Sequence, residues 1–340
     1  MSDDSNMWAD HLGHLKRIAL SRYQQPGGEP RGFIIWRICE LDTYACLLGH
    51  GTCEFIRHVL QNNMLPPLEQ QIPAASPAAP YMSNEAAVFP AVLNLRRNVM
   101  IYTAKMAQLA QTLRAEAASR RAISPGAYAR WQAATAQAQS ELSTAWAQAY
   151  PEFLAPESPE AGHSLPHRVR YVFEQVSSRQ VTRRSRNVTP RWSDANVTQA
   201  YLLYQAATIY SRTSMFPTQR HAAHPAADSS HTDVERRVMC ILAVASSTLE
   251  AGNLAARHVV FPLFMAGFAT LQADAKVKVL ELIAAFETSG IGTNTARTRR
   301  LLKAVYEEQR MAYDAGGSMG DVDWLAVARE RKLTVVNCGL

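Results

Sequence analysis

Three sets of side chains in this sequence could carry chemistry: cysteines, a group of loop histidines, and arginines. Cys39, Cys46 and Cys53 recur every seven residues. Zinc needs several thiolates converging on one ion. No C-x2-C pair occurs anywhere. Cys39 and Cys46 stand two turns apart on an apolar helix, and Cys53 lies beyond the Gly49-His50-Gly51 break. They read as small buried hydrophobes. His221, His224 and His231 lie near Asp228 and Asp233, at no spacing that suits a metal, and read as a solvated loop. His11 and His14 share a helix face. His50 and His58 flank the glycine break.

The arginines carry the positive charge. The net charge is +6, the pI is about 9.1, and lysine occurs only at 16, 105, 276, 278, 303 and 332. Arginine favours bidentate pairing with carboxylate or phosphate. Residues 168–191 hold seven arginines against the single acid Glu174. Arg183, Arg184 and Arg186 are the densest group there, a candidate nuclear-import or acidic-partner patch. A second candidate is an anion site. Gly290-Ile291-Gly292 leads into a helix N-terminus, whose free N–H groups accept anions. Arg297, Arg299 and Arg300 occupy that helix's first turns, where cations oppose the dipole unless something anionic compensates. The candidate residues are Gly292, Arg297 and Arg300. Carboxylates from a neighbouring helix are the plainer compensation.

No nucleophile elbow, phosphate-binding loop, dinucleotide glycine fingerprint or H-E-x-x-H is present. No catalytic residue, metal ligand or cofactor is therefore assigned. The longest uncharged run considered, Val259–Leu271, falls short of the roughly 20 residues a membrane helix needs. The N-terminus is polar and acidic, which does not suit a secretory signal. Five sparse cysteines suit a reducing compartment.

These residues must be held by helices, because the chain reads as helix after helix. Apolar residues at three and four place Leu95, Val99, Tyr102, Met106, Leu109 and Leu113 on one face. Helices are predicted over 8–23, 33–48, a short stretch to about 62, 86–122, 127–150, 165–184, 194–212, 232–250, 254–269, 274–289, 295–313 and 322–332. Pro262 should kink or split the ninth of these. Asp274 and Asn294 stand where N-caps belong. Proline-rich loops are predicted over 64–84, 151–166 and 216–231, and residues 334–338 could be extended. Phe261, Phe264, Met265 and Phe268 fall at helical spacing and should be buried. The fold class is all-α: one compact array of about ten to twelve helices over 1–340, with three long irregular loops.

Several segments, taken in order, resemble the fungal-specific transcription factor domain. They are Met7-Trp-Ala-Asp-His-Leu-Gly13 and the Arg31–Cys46 stretch with Trp36 and Asp42. Phe261-Pro-Leu-Phe-Met-Ala-Gly267, Gly290-Ile-Gly292, Asp323-Trp324 and Cys338-Gly-Leu340 follow. Each is a packing motif, and the resemblance spans almost the whole chain. It implies a regulator of transcription in a fungal nucleus, such as one serving a biosynthetic gene cluster. It also implies work through a protein partner, either a full-length regulator or the transcription machinery, or through a small-molecule effector. The sequence begins at what would be mid-protein in a family member and shows no zinc-cluster finger. The expectation is therefore no sequence-specific DNA binding by this chain alone. The competing expectation is a small-molecule-binding or catalytic helical protein built on the same scaffold. A buried polar pocket would favour that alternative. An exposed apolar patch with a basic rim would favour the regulator.

Overall fold

The computed structural model describes residues 7–23, 32–49, 51–65, 82–119, 123–149, 192–219, 227–250, 258–288 and 294–333. These form eleven α-helices, one short 3-10 turn at Met319–Asp321, and no strand. The helices are α1 (Met7–Tyr23), α2 (Gly32–Leu47), α3 (Glu54–Gln61), α4 (Met82–Ser119), α5 (Pro125–Ala149) and α6 (Trp192–Thr213). Then come α7 (Ala227–Glu250), α8 (Val260–Ala269), α9 (Ala273–Phe286), α10 (Asn294–Asp314) and α11 (Trp324–Glu330). The all-α reading holds. The predicted helix over 165–184, the loop over 151–166 and the extended stretch at 334–338 lie outside the described residues.

Two helices organise the packing. The first is α4, 38 residues long, or about 57 Å at 1.5 Å per residue. It packs on α2, α5 and α6. Its predicted face is buried at Leu95, Val99, Met106 and Leu113, with Tyr102 and Leu109 at the margin. The second is α8, which packs on α6, α7, α9 and α10. Every residue of α8 is buried. A helix that is apolar all round must lie inside a protein or a membrane, and no described helix is long and apolar enough to cross one.

Within the described residues the helix runs on through Pro262 without a break. α8 begins at Val260, so Pro262 is its third residue. First-turn N–H groups have no intrahelical acceptor, so the missing donor of proline is tolerated there. Residues 251–257, where the prediction started this helix, lie outside the described residues. Asp274 is not an N-cap. The cap position of α9 is Gln272, and Asp274 sits in the first turn, where its charge favours the helix dipole. The third loop is shorter than predicted: α7 begins at Ala227, since no proline or glycine follows Pro225 until Gly252. α5 begins two residues early because Ser124-Pro125 is a start signal. The Ser124 hydroxyl accepts the Ala127 N–H at 3.2 Å, and Pro125 takes the first helical position.

One continuous apolar core joins the helices. Phe264 meets Trp324 edge-on at 4.8 Å, and Phe268 meets the same ring at 6.5 Å. Trp131 and Tyr128 pack on Phe216 at 5.4 Å. Gly267 lets α10 approach α8 closely. A Cβ there would stand 2.7 Å from both Leu302 Cδ2 and the Tyr306 hydroxyl.

Candidate functional site

Arg297 and Arg300 lie in the opening turns of α10, Arg297 half-buried and Arg300 exposed. Between them Arg299 pairs with Glu287, at the end of α9, at 2.9 Å. That pair is compensation by a neighbouring carboxylate. Gly292 and the Arg183, Arg184, Arg186 group lie outside the described residues, as do His50, His221 and His224. His11, His14 and His58 are exposed. His14 Nδ1 takes a hydrogen bond from Arg17 at 2.8 Å. Among the described residues no three His, Cys, Asp or Glu side chains group as a metal site.

Cys39, Cys46 and Cys53 are buried and unpaired by disulfide. Cys53 occupies the cap position of α3 with φ 51° and offers that helix no side-chain cap. Its thiol is pushed far above the usual range by a hydrogen bond to Cys46, then by burial. Burial, with Asp42 and Glu40 nearby, raises the Cys39 thiol as well. The thiolate is the reactive form. Because all three are buried, in native protein they should resist iodoacetamide for as long as the fold persists. Urea should release all three together. Peptide mapping of the labelled native protein checks this, and rapid native labelling of Cys39 or Cys53 would contradict it.

The strongest chemistry in the structure is buried charge. Asp42 is fully buried and forms an ion pair with Lys16 of α1. Its other oxygen accepts the Ile56 N–H at 3.1 Å. Ile56 is in the first turn of α3, so Asp42 caps that helix from α2 in place of Cys53. Two residues before it, Glu40 is also buried and takes Arg96 of α4, Arg37 and the Trp36 indole N–H. Arg96 also donates to Asn196 of α6 at 2.7 Å. Two carboxylates of α2 thus hold α1, α3, α4 and, through Arg96, α6.

Burial alone would raise the Glu40 pKa. Arg96, His258 and Arg37 outweigh burial and hold it below its ordinary 4.5. A carboxylate with a depressed folded pKa adds stability above its unfolded value, and that stability is lost as pH falls through the folded one. The stability gap between wild type and Glu40→Gln should therefore be widest at neutral pH and narrow below pH 4.5. Urea unfolding across pH 3–7 measures it, and a constant gap would contradict the assignment.

A second anchor closes the C-terminal side. Arg114 of α4 donates to Asp323 at 2.8 Å and to the Ser214 carbonyl at 2.6 Å and 3.1 Å. Asp323 caps α11 through the Leu325 N–H at 3.3 Å. The Trp324 indole donates to the Ser214 hydroxyl at 3.1 Å. A third anchor surrounds Asp233 of α7 with Arg212, Arg236 and Arg237. Arg237 also lies over Tyr204, which stacks on Trp146 at 4.5 Å.

Asp42 and the Asp323-Trp324 pair, singled out in the sequence by resemblance, are thus joints between helices, and Trp36 is buried and holds Glu40 within α2. The family model described as the fungal specific transcription factor domain matches residues 75–338. The chain belongs to this family. Searches of curated proteins and of solved structures gave no significant match.

Beyond these joints the chain offers surface on α1 and at the start of α2, ahead of the matched residues. On α1, Leu12 and Ala19 are buried, and Lys16 reaches inward to Asp42. The flank next to them is exposed. Leu15 is 44% and Ile18 56% exposed, and His11 and Arg22 lie one turn to either side in the same strip. Ile34, at the start of α2, is 46% exposed. Sequence reading missed this strip, because alternating apolar and basic residues along a helix do not show which flank is covered. It also missed Lys16, Glu40, Arg96 and Arg114. Their one available signal was a charge inside a predicted helix.

Proposed function

We propose that this chain regulates transcription in the fungal nucleus through contacts between its helical domain and a protein partner. Family membership over residues 75–338 carries the reading. The geometry supports it in two ways. Asp42, Asp323 and Trp324 of the motifs are used in joining helices, and α1 presents exposed Leu15 and Ile18 beside Arg17 and Arg22. Apolar side chains with a cationic rim suit contact with protein. Sequence-specific DNA reading by these 340 residues forms no part of the proposal. A biosynthetic gene cluster as target rests on the resemblance alone.

The test is a tethering assay. The chain is fused to an unrelated DNA-binding module in a fungal host, and a reporter downstream of the module's site is measured. A several-fold change in output, up or down, is expected. Reporter output equal to that of the DNA-binding module alone would sink the proposal.

Nuclear entry is proposed to use Arg183, Arg184 and Arg186. Charge of this kind sets recognition more than fold. The triple alanine variant should keep its helicity and melting temperature while its nuclear fraction falls. Normal nuclear accumulation of a folded triple variant would leave the segment without this role.

A further inference from the structure

We propose that the strip His11, Leu15, Ile18 and Arg22 on α1 is a docking site for an acidic amphipathic helix of a partner protein. The spacing is i, i+4, i+7, i+11, so the four side chains run along one line of the helix. The two apolar residues occupy the middle of the line and are the large exposed hydrophobics there, at 44% and 56%. Arg22 follows them by a turn, and Arg17 flanks Ile18 on the other side. Both are exposed, and Arg22 has no ion pair among the described residues. The sequence of α1 sets Lys16, Arg17 and Arg22 against the single acid Asp10.

That arrangement specifies its complement. A partner helix needs two apolar anchors three or four residues apart, to lie on Leu15 and Ile18. It needs carboxylates at the flanks, to meet Arg17 and Arg22. A cationic partner helix is disfavoured by like charge.

The strip is also pre-shaped. The adjacent flank of α1 is fixed by buried Leu12, buried Ala19 and the Lys16–Asp42 pair, so the strip is held without a partner. A pre-ordered surface loses less freedom on binding. The inference builds on the regulator reading, since it names the chemistry of the proposed protein partner.

The experiment uses the full chain and two synthetic helical peptides. One carries leucine anchors at i, i+4 with glutamates on both flanks. The other is identical except for lysine at every glutamate. Fluorescence anisotropy should show binding of the acidic peptide and at least tenfold weaker binding of the lysine peptide. Hydrogen exchange should slow in α1 when the acidic peptide is bound. Ile18→Asp should weaken that binding at least tenfold with an unchanged melting temperature. The combined Arg17→Glu and Arg22→Glu variant should reverse the preference, so that the lysine peptide now binds more tightly.

Equal binding of both peptides, binding of neither, or protection that avoids α1 would overturn the proposal. So would a dimer of the free chain that Ile18→Asp converts to monomer, which would make the strip a contact between copies. The tethered reporter separates the two ideas. A reporter that responds to wild type and is indifferent to Ile18→Asp rejects the strip and leaves the regulator reading intact. A reporter silent with wild type rejects the regulator reading, whatever the peptides do.

Discussion

Phe264→Ala should lower the unfolding free energy by about 3–5 kcal/mol, the range found for emptying an aromatic core site. Phe264 has no exposed surface, and its ring meets Trp324 edge-on at 4.8 Å. Removing it strips one wall from the Trp324 indole and leaves a void inside α8, which has neighbours on all sides. Collapse to fill that void is restricted. Gly267, three residues on, already brings α10 to the contact limit against Leu302 and Tyr306. The cost should therefore lie toward the upper end. Urea unfolding of the two proteins measures it, and a loss under about 1 kcal/mol would show that the site relaxes freely.

Asp42→Ala should cost a similar amount, about 3–5 kcal/mol, by a different route. The substitution strands the Lys16 ammonium, whose side chain is only 19% exposed. It also leaves the Ile56 N–H without its acceptor, and α3 without the cap that Cys53 does not supply. The two parts are separable. In the double variant Lys16→Met with Asp42→Asn no charge is stranded, and the amide oxygen can still accept from Ile56. That variant should recover more than half of the loss. A double variant no more stable than Asp42→Ala would mean that neither the stranded ammonium nor the lost cap accounts for the cost.

How much of this was legible in the sequence depends on the kind of signal. Apolar spacing is local, so α4 and the buried run Phe261–Phe268 could be read directly. Helix starts were legible where the chemistry is local and were shifted where two signals compete, as at Ser124-Pro125 and at Pro262. The joints were only half legible. Asp42 and Asp323-Trp324 stood out by resemblance, yet their partners Lys16 and Arg114 lie 26 and 209 positions away. No periodicity links residues that far apart. The exposed flank of α1 depends on which neighbours cover it, and that is a property of the assembled array. Of the candidate site residues, Arg297 and Arg300 were placed on the helix expected for them. The compensating carboxylate there, Glu287, meets Arg299 between them.

The Arg114 joint has a consequence for how the protein is made. Arg114 leaves the ribosome long before Ser214 and far longer before Asp323, so it waits through most of synthesis for its partners. Until α11 emerges, the faces of Phe264 and Phe268 that Trp324 covers have nothing over them. Long-range closure of this kind comes late, and half-made chains meanwhile show apolar surface to chaperones and proteases. A nonsense or frameshift allele that stops translation before Trp324 would therefore yield a product marked for degradation. In a genetic screen such alleles should behave as complete losses of protein.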